Sequence, residues 1–267
     1  MYKGYILKHN FPTLGLVSAF VDNVQQLLFA VVDTENDVAA NEQQLLPLIT
    51  SQLQQLLISS RVHAEQVPGL VHIFNRQINT VRQQLLQDAE FIFRYDPAAD
   101  CLEEVILTYP GFYAIAVYRV ANILYKQQVA ILPRMMSEIA HSKTGIDINA
   151  GANIGCPFFI DHGTGIVIGE TTEIGNNVKI YQGVTLGAIM VHKEDAAKKR
   201  HPTILNDVVI YSGSTILGGN TVIGSHSIIG GNTWLTSSVP SNSIVYHTAQ
   251  TVVKDRNSIN EPINFII

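Results

Sequence analysis

Residues Ile148-Asn149-Ala150-Gly151-Ala152-Asn153-Ile154-Gly155-Cys156-Pro157-Phe158-Phe159-Ile160 open a stretch in which a branched aliphatic residue returns at every sixth position. After a slip of two residues, Ile168, Ile174, Ile180 and Leu186 resume the interval. A further run reads Ile204 and Ile210, then, after a slip of one, Leu217, Ile223, Ile229 and Leu235. This period is neither the 3.6 of an amphipathic helix nor the 2 of a half-buried strand. A six-residue unit is one short strand plus a turn, and three units close a triangular coil, so the spacing predicts a parallel β-helix with the aliphatic residue pointing inward. Glycine and asparagine, as in Gly175-Asn176-Asn177, suit the corners, where positive φ penalises a Cβ. A sandwich or barrel of short strands would not hold so strict a phase.

Outward from this stretch the chain changes character. Of its 19 glycines, 15 lie between Gly145 and Gly231. Upstream, Leu45, Leu46, Ile49, Leu53, Leu56 and Leu57 recur at helical spacing. Pro68-Gly69 reads as punctuation, Asn79-Thr80 as the start of a second helix through Val81, Leu85, Leu86 and Ala89, and Asp96-Pro97 as its end. Ile115, Val117, Val120, Ile123 and Leu124 predict another helix. The expected class is α+β: an α-helical domain over 1–140, a β-helix over 141–248 with one extruded loop, and a C-terminal tail over 249–267. The loop is Ala188 to Pro202, where a polar run from His192 to Arg200 breaks the phase. Such excursions from a rigid scaffold commonly carry function.

Composition narrows the possibilities. With 267 residues, 46% hydrophobic and 15% charged, the chain can bury a large core. No apolar run reaches the roughly 20 residues a membrane helix needs; Asp22, Asn23 and Gln25 interrupt the early one, Arg119 and Asn122 the later. Neither a membrane nor a secretory signal is expected. A net charge of -5 without a dense Lys/Arg cluster lacks the footprint of nucleic-acid binding. Cys101 and Cys156 form no disulfide framework and fit a reducing cytoplasm.

Two histidines sit where the repeat is irregular. His162 lies in Asp161-His162-Gly163-Thr164-Gly165, at the slip of two, and His201 closes the extruded loop in Arg200-His201-Pro202. Asp147 precedes His162 by 15 residues, close to one coil once the slip is counted, which predicts a contact between neighbouring coils. An aspartate there would fix the imidazole tautomer and stabilise its charged form. Each residue type also has an ordinary place at a corner: histidine as a turn residue, aspartate satisfying corner amides, Arg200 with Lys198 and Lys199 as a solvated charge run. Cys156 has no histidine or asparagine in a recognisable relation to it and reads as a turn cysteine.

These residues also carry a resemblance. Asp147-Ile148, Ile160-Asp161-His162-Gly163-Thr164-Gly165-Ile166-Val167-Ile168-Gly169-Glu170-Thr171, Val184-Thr185-Leu186-Gly187 and Arg200-His201-Pro202 resemble serine O-acetyltransferase. Upstream, Asp96-Pro97-Ala98-Ala99-Asp100, Pro110-Gly111-Phe112 and Tyr118-Arg119 are similar to that family's junction between its helical domain and its left-handed β-helix. The likeness runs from Phe93 to Pro240, and the first 90 residues match only in helical character.

The resemblance implies transfer of acetyl from acetyl-CoA to the hydroxyl of L-serine, giving O-acetylserine for cysteine synthesis. No permanently bound cofactor and no metal is implied; acetyl-CoA is a co-substrate. By the same analogy His162 is the general base and Asp147 orients it. Asp96 and Asp161 hold the substrate ammonium, Arg200 and His201 bind its carboxylate, and Gly187, Ser212 and Gly213 line the CoA arm. Ala188 departs from the family's common Gly-Gly pair, and Asn149 stands where a histidine is sometimes found. The family also implies a homotrimer or a dimer of trimers with acceptor sites at subunit boundaries. It further implies a terminal isoleucine, here Ile267, that enters the active site of O-acetylserine sulfhydrylase. Competing readings are a related acyltransferase with a sugar or xenobiotic acceptor, a zinc hydratase, which would need three histidine ligands, and a β-helix that only mediates assembly.

Overall fold

The computed structural model describes residues 11–29, 35–189 and 198–248. Among the described residues six helices come first: α1 (Leu14–Leu28), α2 (Glu35–Ser59), α3 (Val67–Tyr95), α4 (Leu102–Thr108), α5 (Pro110–Lys126) and α6 (Leu132–Thr144). The leucine stripe of α2 is buried at Leu45, Ile49, Leu53, Leu56 and Leu57, while Leu46 faces outward. In α3 the structure differs from the sequence reading. Pro68 lies in the first turn, where its missing N–H costs nothing, so Pro68-Gly69 starts the helix instead of preceding it. Asn79 and Thr80 lie mid-helix, because Val71, Phe74, Ile78, Val81, Leu85, Ala89 and Ile92 keep one buried stripe across them. Helix α5 is buried almost all round, from Ala114 to Leu124, as expected of an element enclosed by other helices on one side and a solenoid on the other.

Fourteen short strands follow among the described residues, from β1 (Asp147–Ile148) through β3 (Phe158–Asp161), β4 (Val167–Ile168), β6 (Val178–Tyr181), β7 (Thr185–Gly187), β8 (Thr203–Ile204), β9 (Val209–Ile210) and β10 (Thr215–Leu217) to β14 (Ile244–Val245). Strands pair in parallel with those three places on in sequence, except that β12 pairs with β14, and build the three walls of a left-handed β-helix. The first wall contains β1, β4, β7, β10 and β13 (Trp234–Leu235); the third contains β3, β6, β9, β12 (Ile228–Ile229) and β14. Ile148, Ile168, Leu186 and Ile216 stack inside the first wall, each buried. Each isoleucine or leucine enclosed in this way contributes about 1.5–3 kcal/mol.

The inward residue of β10 is thus Ile216 and not Leu217, which moves the slip of one from before this residue to the Gly218-Gly219 turn after it. The slip of two is located as the sequence reading has it. Ile148 and Ile168 align although 20 residues apart, against 18 for Ile168 and Leu186, and the surplus bulges from the corner containing His162, Gly163 and Gly165, all at positive φ. Leu186 aligns with Ile216, 30 residues on, so the extra length between β7 and β8 leaves the trunk without disturbing its stacking.

The open top of the β-helix is closed by polar side chains of the helices. Tyr118 donates to Ala152 O (2.6 Å) and accepts from Ile154 N (3.1 Å). Asn122 donates to Ala150 O (2.7 Å), and Ser137 to Ile148 O (2.9 Å). Arg119 forms a buried two-pronged pair with Asp88 at 2.6 and 2.8 Å and donates to Gly155 O at 2.9 Å, while Asp88 also accepts from Phe158 N at 2.8 Å. Exposed strand edges are a liability, and here α3, α5 and α6 satisfy the first coil directly. Among the described residues no helix is long and apolar enough to cross a membrane.

Candidate active site

Two successive corners of the solenoid carry the residues singled out above. At the corner entering the first wall, Asp161 ends β3 and His162 follows at φ 55° with its side chain 74% exposed. The imidazole Nε2 lies 3.9 Å from Asp161 Oδ1. Asp96, at the C-cap of α3, is held at both oxygens: Oδ1 accepts from Ala98 N (2.8 Å) and Oδ2 from the Tyr109 hydroxyl (2.7 Å). Burial raises the Asp161 pKa, with His162 opposing and Asp96 adding to the rise, so the two carboxylates sense one another. Tyr109 is pushed above its ordinary range by burial and by its bond to Asp96.

Asp147 lies in β1 just past the same corner of the coil above, aligned with Val167. Among the described residues no hydrogen bond or ion pair joins it to His162 within one chain. Three tyrosines escape the sequence reading. Besides Tyr109, Tyr181 and Tyr211 stack at 5.0 Å on the outer face of the third wall, Tyr181 in register with Asp161. The signal is positional: Asp161, Tyr181 and Tyr211 each follow an inward isoleucine, Ile160, Ile180 and Ile210.

At the corner leaving the first wall, the turn Glu170-Thr171 meets the foot of the extruded loop. Arg200 Nη2 pairs with Glu170 Oε2, and Tyr125 of α5 donates to Glu170 Oε1 (2.8 Å). Thr171 Oγ1 accepts from Arg200 N (2.9 Å) and His201 N (3.1 Å), and Thr171 N donates to His201 Nδ1 (3.1 Å). That last bond makes Nδ1 an acceptor and places the proton of the neutral ring on Nε2. The ring packs against Gly169, where a Cβ would stand 2.0 Å from His201 Cδ2, so only glycine fits. Gly187, in β7, belongs to this side of the first wall, whereas Ser212-Gly213 turns the corner on His162's side.

Burial, with the nearby Arg200 charge, lowers the His201 pKa to about 4. In the unfolded chain an imidazole titrates near its ordinary value of about 6.5, so the unfolded state binds the proton more readily. The stability supplied by this site is therefore complete above about pH 6.5 and declines as pH falls toward 4. His201→Gln, which cannot titrate, is expected to flatten that part of the dependence. Urea midpoints of both proteins at about pH 7 and about pH 5 check this, and parallel shifts would refute it.

The parallel β-helix of six-residue repeats thus presents an exposed imidazole beside carboxylates at one corner and an arginine–histidine couple at the foot of the extruded loop at the next. No family model matches the sequence. It is 45% identical over 189 residues to a plasmid-borne serine acetyltransferase of Synechococcus elongatus, a match spanning 69% of this chain and 59% of that longer relative. It is 44% identical to the serine acetyltransferase of Bacillus licheniformis over 68% of this chain and 82% of the relative. Its fold matches serine acetyltransferase isoform 3 of Entamoeba histolytica, solved in complex with cysteine, with a TM-score of 0.81 and 34% identity over 95% of this chain and 88% of that one. The chain belongs to the serine acetyltransferase family.

Proposed function

We propose that the protein transfers the acetyl group of acetyl-CoA to the hydroxyl of L-serine, releasing O-acetyl-L-serine and CoA, the first step of cysteine synthesis. The observation that carries this reading is the pairing of clamps of opposite sign with an exposed imidazole. An amino-acid acceptor needs anionic groups for its ammonium, here Asp96 and Asp161, and cationic or donor groups for its carboxylate, here Arg200 and the His201 Nε2–H. His162 removes the serine hydroxyl proton as the oxygen attacks the thioester carbonyl, and the tetrahedral oxyanion collapses. The CoA sulfur then departs, taking the proton back from the imidazolium. General-base assistance of this kind is worth about 10²- to 10⁴-fold. Orientation of the two substrates supplies much of the rest.

The two clamps stand on different corners of one chain. From Gly165 to Gly169 the first wall spans about 13 Å at about 3.3 Å per residue, whereas the ammonium and carboxylate of serine share a single carbon. One molecule therefore meets both clamps only if a second chain brings its corner to the first. This supports a trimer, or a dimer of trimers, with the acceptor site at the subunit boundary. The same boundary would let Asp147 of a neighbouring chain reach His162 and would gather Gly187 with Ser212-Gly213 along the CoA arm. The family resemblance adds O-acetylserine sulfhydrylase as a partner through Ile267, and residues 249–267 lie outside those the structure describes. The cysteine usage supports a cytoplasmic location.

The decisive assay follows CoA thiol release with L-serine and with a hexose acceptor. Release with serine and not with the sugar is expected; the opposite pattern would replace this reading by that of a sugar acyltransferase.

A further inference from the structure

Arg200 is held by more than the foot of its own loop. We propose that Glu170, buttressed by Tyr125, is a positioning residue that fixes the plane of the Arg200 guanidinium and thereby sets the affinity for the acceptor's carboxylate. The proposal rests on the reading of Arg200 as that carboxylate's partner.

Three segments far apart in sequence converge here. Tyr125 comes from the last turn of α5, Glu170 from the turn after β4, and Arg200 from the end of the extruded loop. Both Glu170 oxygens are engaged, Oε1 by the Tyr125 hydroxyl and Oε2 by Arg200 Nη2, with the Arg200 and Glu170 side chains only 19% and 31% exposed. A fourth position supports the reading independently. A Cβ on Gly151 would stand 2.7 Å from Tyr125 Cζ and 2.8 Å from Glu170 Cγ, so the tyrosine ring and the glutamate stem pack where only glycine leaves room. Burial raises the Glu170 pKa, yet the bonds from Arg200 and Tyr125 outweigh it and hold the carboxyl below its ordinary value.

A planar guanidinium presents donors along more than one edge, so pairing with Glu170 is compatible with gripping a second carboxylate. Glu170 does not touch the reacting atoms on this view. It acts through Arg200, and Tyr125 acts through Glu170.

Steady-state kinetics of the full-length protein test this. Glu170→Gln keeps the shape and loses the charge, and is expected to raise KM for serine about tenfold, the loss of one charge-assisted bond. The kcat and the KM for acetyl-CoA should stay unchanged. Tyr125→Phe should raise the serine KM about threefold and add nothing in the Glu170→Gln background. Gly151→Ala should act in the same direction by prising the pair apart. L-Serinamide, which lacks the carboxylate, should be turned over equally by wild type and Glu170→Gln, a selectivity that general damage to the fold would not give.

Arg200→Lys is measured alongside. If it leaves the serine KM unaltered, the carboxylate role of Arg200 falls. If it raises KM while Glu170→Gln leaves KM unchanged or lowers it, Glu170 is a bystander or a competitor for Arg200, and the positioning role is overturned. Should Glu170→Gln fold poorly, Tyr125→Phe, which keeps the ring in place, carries the test by the same KM against kcat comparison.

Discussion

Replacing His162 by asparagine is expected to lower kcat about 10²- to 10⁴-fold, the range for loss of a positioned general base, while leaving the fold intact. The side chain is 74% exposed and its nearest carboxylate is 3.9 Å away, so its removal opens no cavity and strands no buried partner. The backbone here is left-handed at φ 55°, a conformation asparagine tolerates better than alanine. Asparagine thus removes the proton acceptor without asking the corner to rearrange. CoA release under saturating serine, together with a thermal melt, checks both halves. Turnover within a few-fold of wild type would remove His162 from the reaction, and a scaffold would show no turnover to lose.

The second large effect concerns the seam between helices and solenoid. Asp88→Ala is expected to destabilise the protein by about 3–5 kcal/mol, the usual result of stranding one member of a buried ion pair. Arg119 would keep its charge with only Gly155 O to receive it, and Phe158 N–H would lose its acceptor at the start of β3. Replacing both members, as in Asp88→Leu with Arg119→Met, should recover much of the loss, because the charge and its penalty go together. Denaturant midpoints for the single and double variants measure this. A single variant as stable as wild type would show that the pair does not hold the first coil in place.

Much of the fold is legible because one residue type does two jobs at once. Ile154, Ile174 and Ile204 mark the period and fill the interior, so pattern and packing cannot drift apart. The exceptions arise where neighbouring residues are both apolar. Ile216 and Leu217 offer the same side-chain chemistry, and only strand pairing decides which turns inward. In α3, punctuation residues were outweighed by an unbroken apolar stripe.

Within the candidate site, side-chain proximity was legible where residues lie in one segment, as at Asp161-His162, and illegible where vertical stacking brings segments together. Glu170 and Thr171 meet Arg200 and His201 thirty residues on, the same offset that joins Asn176 to Asn206 and Asn177 to Asp207. That offset is set by how much chain the loop removes from the trunk, which periodicity on either side cannot measure. Asp88 was hidden for a related reason: an acidic residue at a helical position reads as solvent-facing until an arginine from another helix is placed against it.

Among the described residues the helices seal the β1 end of the prism, and the corner carrying His162 belongs to the coils nearest that seal. Growth of the trunk is therefore one-directional. Rungs can be added or shed at the far end, below Trp234 and Ile244, as a mast is lengthened at its foot, while His162 and its neighbours stay in place at the top.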